Sequence, residues 1–410
     1  MTPANEEVQA LATALFGEGS LAEVLAALDD YGTERHEPEV NRVRLAILQL
    51  SEGEKEKLRY WIKTAKVDYR DILAAQQLGP LSPQEGAQWQ ARAKDLIENW
   101  GRKQPRTNGR RIRSDMTSTP LELLSEHACF GGAQRFYQHA SREIGLPMRF
   151  SVFLPPQARI DAAGGKIPAL LYLAGLTCNE ETFMVKAGAQ RLAAELGLAL
   201  IAPDTSPRGA HIPGEADSWD FGVGAGFYLD ATQAPWSRHW RMESWLTAEL
   251  LPLLAGALPI DAGRIGIFGH SMGGHGALTL ALRHPGLFKS VSALAPICAP
   301  SQCSWGRKAF TGYLGADEST WLAHDASALM LRRTSAPYPG GILIDQGLND
   351  GFLIGQLHPE QFEAACAAAA QPLRLRRHAG YDHGYYFIAT FMADHLAHHA
   401  EQLGHALASH

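Results

Sequence analysis

Arg264-Ile-Gly-Ile-Phe-Gly-His-Ser-Met-Gly-Gly-His-Gly-Ala277 is the stretch that decides the fold. A short strand-like run, Arg264–Phe268, leads straight into Gly269-His270-Ser271-Met272-Gly273, and a helix of small and apolar residues follows. This is the G-x-S-x-G turn, which holds a serine in a strained conformation with its oxygen exposed above a sheet. Glycine is needed at 269 and 273 because a side chain at either place collides within the tight strand-to-helix turn. The new helix aims its N-terminus at the reacting centre, which favours developing negative charge. His270 and His275 flank the nucleophile and are expected to point away from it.

On both sides of this motif, short β-rich runs alternate with helical stretches from about residue 130 onward. The other candidate strands are Met148–Leu154, Ile167–Leu173, Leu198–Pro203, Val291–Pro296, Gly341–Asp345 and Leu373–Arg377. Helical stretches fall at Phe183–Leu196, Met242–Leu258, Met272–Leu282 and Glu360–Ala370, with Tyr385–Leu407 closing the chain. Such alternation predicts an α/β fold, a mostly parallel sheet with helices on both faces. The reactive groups then belong at the carboxyl ends of the strands.

A serine at its ordinary pKa needs an adjacent base, and on this architecture the partners follow in the order serine, acid, histidine. The acid lies in Ile342-Leu-Ile-Asp-Gln-Gly-Leu-Asn-Asp-Gly-Phe352, which offers Asp345 at the strand end and Asp350 in the loop. Asp350 is favoured, because a loop can turn its carboxylate toward a histidine, while Asp345 stands as the alternative. The base is expected at His383, between the last strand and the last helix, with His378 as the structural alternative. His395, His398 and His399 have helical spacing, but no carboxylate or cysteine set accompanies them, so they read as an exposed His-rich helix rather than a metal site. For the oxyanion hole, one backbone N–H should come from Met272. The other should come from Ala174-Gly175-Leu176-Thr177-Cys178, at Leu176, with Gly175 letting the backbone approach the substrate. Residues 205–242, rich in Gly and Trp, are too many for a plain connection and are expected to wall the pocket.

The first 100 residues differ in kind. Of these, 28 are charged, whereas all five cysteines and 16 of the 17 histidines lie beyond residue 116. Ser20-Leu-Ala-Glu23, Ser51-Glu-Gly-Glu54 and Ser82-Pro-Gln-Glu85 each fit a capping box, with Pro83 at a first helical position. Gly32, Gly79 and Gly101 stand where helices should stop. Val40, Val43, Ile47 and Leu50 share one helical face. The segment reads as an all-helical domain of residues 1–100, followed by a basic flexible linker at 101–120 (GRKQPRTNGRRIRSDMTSTP) and an α/β catalytic domain at 121–410. A start close to Met116 also fits a complete one-domain enzyme, with the helical part as a passenger or a read-through product. A net charge of −6 over 410 residues disfavours nucleic acid or an anionic membrane as the main partner. The longest apolar runs are too short for a transmembrane helix, and the N-terminus lacks the basic start of a secretion signal. Five sparse cysteines fit reduced thiols and a cytoplasmic location.

Residues 122–407 resemble the S-formylglutathione hydrolase (esterase D) family of α/β-hydrolases. The segments that carry the resemblance are CFGGAQRFYQHAS (129–141), LAGLTCNEETFMVKAGAQR (173–191), APDTSPRG (202–209), WDFGVGAGFYLDAT (219–232), GHSMGGHGAL (269–278), WGRKAFTGYLG (305–315), DQGLNDGFL (345–353) and GYDHGYYFIATF (380–391). The resemblance implies the α/β-hydrolase fold and a triad of Ser271, Asp350 and His383, which favours Asp350 over Asp345. It further implies hydrolysis of a small-molecule glutathione thioester, S-formylglutathione, to glutathione and formate, the last step of glutathione-dependent formaldehyde detoxification. No metal or organic cofactor is implied, and homodimers are common in the family. Members usually carry serine where Ala174 and Gly384 stand here. Cys178 matches a cysteine often found beside the active site, either as a small buried group or as a regulatory thiol. Because such a substrate is anionic, Arg208, Lys186 and Lys308 are candidate contacts. The same triad would also serve a broad-range carboxylesterase or an acyltransferase, and an interaction module with a vestigial hydrolase is the reading from a different class.

Overall fold

The computed structural model describes residues 3–31, 40–51, 53–67, 121–158 and 165–404. They fall into two compact units, Met1–Ser82 and Pro83–His410. The expected linker at 101–120, the capping box at Ser82 and the helix stops at Gly32, Gly79 and Gly101 lie outside the described residues.

The first unit contains α1 (Pro3–Phe16), α2 (Leu21–Leu28), α3 (Val40–Ser51) and α4 (Lys55–Val67). Val8, Ala12, Val24, Leu28, Val43, Ile47 and Leu58 close its core, so Val43 and Ile47 of the apolar face read from the periodicity of α3 are buried, with Leu50 packed against them. Two capping boxes do not form. Ser20 occupies the N-cap of α2 without a side-chain cap bond, and Glu23 reaches across to Lys55 instead. Ser51 ends α3, and its hydroxyl turns back to the carbonyl of Leu48.

In the second unit, nine strands among the described residues form one sheet in the order β1-β2-β3-β5-β4-β6-β7-β8-β9. β1 (Glu122–Cys129), β2 (Gly132–Ala140) and β3 (Pro147–Leu154) pair antiparallel, and β3 pairs antiparallel with β5 (Ala199–Pro203). From β5 onward, β4 (Ile167–Leu173), β6 (Ile260–His270), β7 (Ser290–Leu294), β8 (Ile342–Gly347) and β9 (Leu373–His378) are parallel. β4, β5, β7 and β8 are buried along their whole length, as expected where helices cover both faces.

The hairpin β1–β2 has no counterpart among the predicted strands. β1 is exposed or half-exposed at every residue, so it carries no apolar alternation to read. The stretch predicted as one helix from Phe183 is two, α5 (Thr182–Lys186) and α6 (Gln190–Leu196), separated where Gly188 takes a positive φ of 67°. The predicted Met242–Leu258 helix is present and ends in α7 (Leu251–Ala257), after a π-helical stretch over Trp245–Leu250. Further along come α8 (Met272–Arg283), α9 (Ser304–Leu314), α10 (Ala326–Leu331), α11 (Pro359–Ala368) and α12 (Tyr385–Gln402). Of these, α9 and α10 were not expected. The C-terminal helix α12 is not an exposed His-rich surface: His395 and His399 are fully buried against the sheet. No single helix among the described residues is long and apolar enough to cross a membrane.

Candidate active site

β6 runs to His270, and Ser271 follows at the sharp corner before α8, with φ +57° and ψ −120°. A non-glycine residue in such a region costs about 1–3 kcal/mol and persists only where the surroundings over-determine it. Here they do. The Ser271 N–H donates to Leu294 O at 3.0 Å, and its carbonyl accepts from His275 N at 2.9 Å and Ile297 N at 3.2 Å. A Cβ on Gly273 would run into the backbone of Leu173, which explains the glycine that the motif requires. All of α8 before Arg283 is buried, so the helix is a fixed support for the serine.

The residues expected as acid and base, Asp350 and His383, lie in contact. His383 Nδ1 lies 2.6 Å from Asp350 Oδ2. The Asp350 side chain is fully buried and also accepts from Phe352 N at 2.8 Å and Gln346 Nε2 at 3.1 Å. Its carboxylate is thus oriented before the imidazole arrives. The His383 ring packs against His270 at 4.4 Å between centroids and meets Phe352 in a T-shaped contact at 4.9 Å. His270 therefore does not point clear of the site. Burial, together with the adjacent His383, holds its pKa well below the usual histidine range, so it adds a neutral wall beside the base. His275 does turn away, toward Phe227 O at 3.2 Å, and burial pushes its pKa down to about 4.

Asp345 is elsewhere engaged. Its buried carboxylate takes the guanidinium of Arg376 and the Nε2 atoms of His378 at 3.1 Å and His395 at 3.2 Å. His378, the alternative base, is held there rather than at the serine.

The loop after β4 comes close to Ser271. A Cβ built on Gly175 would lie 3.2 Å from His270 Nδ1 and 3.3 Å from Ser271 Cβ, a tight fit that the glycine relieves as this backbone approaches the serine. Within the loop, Thr177 N donates to Gly224 O at 2.8 Å and Cys178 N to Gly175 O at 3.3 Å. No bond of the Leu176 N–H lies among the described residues. Residues 205–242 brace this loop: Tyr228 Oη donates to Ala174 O at 2.8 Å, and Thr205 Oγ1 donates to Cys178 O at 2.6 Å. An aromatic series, Trp219 on Trp305, Trp305 on Phe352 and Phe352 on His383, links the same insert to the base.

The candidate cations stand in different surroundings. Arg208 pairs with the buried Asp204 at 2.6 Å and also reaches Cys178 O at 3.2 Å. Lys308 donates to Ser218 Oγ at 2.6 Å and pairs with Asp220, tying α9 to the insert. Lys186 is exposed and sits 5.6 Å above the Tyr385 ring, two residues past the base. Cys178 is half-buried. Burial, with Tyr172 and Cys178 nearby, pushes the Tyr385 hydroxyl well above its ordinary pKa. At the N-cap of α12, Gly384 has no side chain to cap the helix, and its N–H donates to Asp382 Oδ1 at 2.9 Å.

Sequence reasoning did not single out Gln346 and Phe352, which contact Asp350, or Tyr228, which holds Ala174. All three lie inside segments already quoted above, so adjacency to the motif was the available signal.

The family model described as "Putative esterase" matches residues 141–398. An S-formylglutathione hydrolase of Mus musculus is 55% identical over 284 residues, covering 69% of this chain and 99% of the relative. One from Paracoccus denitrificans is 51% identical over 283 residues, covering 69% and 98%. The solved structure of an S-formylglutathione hydrolase from Agrobacterium tumefaciens aligns with a TM-score of 0.66 at 47% identity, covering 69% of this chain and all of that one.

Proposed function

Because the chain belongs to the S-formylglutathione hydrolase family of esterases, we propose that it hydrolyses S-formylglutathione to glutathione and formate through Ser271, His383 and Asp350. The observation that supports this reading most is the 2.6 Å contact of His383 Nδ1 with the buried Asp350, in the loops that flank the strained Ser271. His383 Nε2 takes the hydroxyl proton as Ser271 Oγ attacks the formyl carbon. Asp350 orients the ring and stabilises its charged form. The C–S bond then breaks, and the sulfur leaves as the thiol of glutathione with the proton from His383. Water attacks the formyl ester, His383 again removes a proton, and formate departs as Ser271 is restored. The amides of Met272 and Leu176 hold the oxyanion of both tetrahedral intermediates, each donor contributing about 2.7–4 kcal/mol.

The catalytic unit is residues 121–410, and the helical segment 1–100 takes no part in the chemistry. Support comes from relatives whose near-full length is matched by 69% of this chain. A homodimer in the cytoplasm is the setting that goes with this reading, and sedimentation of the purified protein tests the assembly. Lys186, exposed beside the His383 loop, is the cation best placed for a carboxylate of the glutathione portion. Cys178, half-buried in the loop after β4, is the other pocket candidate on this side.

The decisive experiment compares kcat/KM for S-formylglutathione and p-nitrophenyl acetate, using the parent and Ser271→Ala. A marked preference for the thioester, lost in the variant, is the expected result. Comparable values for both substrates would assign the chain to the broad-range carboxylesterases instead.

A further inference from the structure

Two Asp–His pairs lie side by side at the ends of β8 and β9. Asp350–His383 and Asp345–His378 have the same sequence separation of 33 residues, but only the ring of His383 is packed on His270, the neighbour of Ser271. Asp345 is fully buried, and both of its oxygens are saturated. Oδ1 accepts from Arg376 Nε at 2.5 Å and His378 Nε2 at 3.1 Å, while Oδ2 accepts from Arg376 Nη2 and His395 Nε2. Arg376 reaches on to Asp394 at 2.5 Å. These donors come from β9 and from α12, the two elements that bracket the loop carrying His383. Asp345 itself sits on β8, and the next residue, Gln346, donates to Asp350.

The network continues beneath α12. His395 Nδ1 meets Ser292 Oγ at 2.7 Å, Ser292 Oγ meets His399 Nε2 at 2.9 Å, and His399 Nδ1 meets Ser290 Oγ at 2.6 Å. Four residues of helix rise about 6 Å and two residues of strand about 6.6 Å, so the two histidines and the two serines mate at one axial setting. Sliding α12 by a turn would break every bond in the series. With one proton per ring the bonds run in a single direction, from Ser290 through His399, Ser292 and His395 to the carboxylate. A buried ion pair of this kind is weak evidence for stability, since an apolar replacement is often as stable, but it fixes geometry.

We propose that Asp345 is a positioning residue for the hydrolysis: by clamping β9 and α12 to β8, it sets the axial position of α12 and so the reach of His383 toward Ser271. The proposal rests on the triad reading above, and not on the identity of the thioester. The carboxylate that enforces this setting is surrounded by Arg376 and His378 from β9, His395 and Asp394 from α12, and His399 beyond Ser292. His383 is faced by Asp350 and His270, with Asp382 adjacent in its own loop.

The test uses Asp345→Asn in the full chain, assayed with p-nitrophenyl acetate. An organophosphonate nitrophenyl ester counts competent serines, so that kcat is expressed per active site. Misplacing a catalytic group by about 1 Å costs about 100-fold, and kcat per site should fall by that order while KM changes little. The acid limb of the kcat/KM profile should move to lower pH, because an imidazolium less well met by carboxylate is less stable. A kcat per site within about twofold of the parent, or a fall with the limb unmoved, overturns the proposal. A purely structural role lowers only the titrated fraction and therefore counts against it. If Asp345→Asn does not fold, His378→Gln carries the test, with an expected fall of about 10-fold judged by the same two readouts. Failure of the parent to turn over S-formylglutathione, with the ester activity intact, would sink the substrate assignment and leave this clamp standing.

Discussion

In the helical unit, Val24, Leu28, Val43, Ala46 and Ile47 close on Val8 and Ala12, while Lys55 and Glu23 pair on the outside. In the α/β unit, charge goes inside. Glu243, Asp325, Asp345, Asp350, His270, His275, His395 and His399 are all buried. Asp325 shows how this is sustained: it caps α10 through Ala328 N at 3.0 Å and accepts from Ser301 N at 3.1 Å and Ser301 Oγ at 2.7 Å. An aliphatic core constrains volume and tolerates exchange among similar shapes. A buried polar group constrains direction, because each donor must find its acceptor. Chemistry needs direction, and among the described residues the buried charges of the α/β unit are placed to supply it.

The contrast can be broken most severely at the nucleophile. Ser271→Ala should lower kcat by about six orders of magnitude while the thermal melt stays near that of the parent. Asp350→Asn should lower kcat by about 10⁴-fold, because the amide no longer holds the imidazole in the right tautomer. In the other unit the same kind of change should act on stability alone. Ile47→Ala should destabilise the helical unit by about 2–5 kcal/mol, seen by chemical denaturation, with kcat/KM unchanged. A fall in kcat/KM there would dissolve the distinction between the units.

Acid sharpens the comparison further. Burial alone would raise the pKa of Glu243, but His284 and Arg283 outweigh it and hold the carboxyl down at about 2. A group depressed in the folded state contributes its full stability above the ordinary carboxylate range and loses it as pH falls toward the folded value. The loss between about pH 5 and pH 2 is about 3 kcal/mol for this group. Melts of the parent and Glu243→Gln should therefore converge in that window and separate above it. The smallest effect is expected from removing the helical unit. Residues 116–410 expressed alone should keep kcat/KM within about twofold of the full chain, a change too small to count as loss of a catalytic contact; an inactive product would make the helical part integral.

Much of the site was legible because its parts are local. The strand, the glycine-bounded serine and the helix lie in one continuous segment, and the loops bearing Asp350 and His383 follow strands with clear boundaries. What escaped reading depends on a second segment. The two unformed capping boxes failed because Glu23 found Lys55 and Ser51 found its own helix. β1 was missed because neither of its faces is buried. His395 and His399 looked like surface residues, since polar spacing on a helix says nothing about the hydroxyls of Ser290 and Ser292 waiting on a strand about a hundred residues earlier. His270 was placed correctly in sequence but not in orientation, as its contact with His383 comes from a loop far along the chain.

The polar series beneath α12 also has a consequence in time. Protons held between Ser290, His399, Ser292, His395 and Asp345 have no water to exchange with while the helix lies on the sheet. They leave only when that contact opens, so their exchange rate reports how often the floor of the active site lifts. Imidazole N–H resonances that survive transfer into deuterated solvent would serve as a clock for that opening, running in the folded enzyme and independent of any substrate.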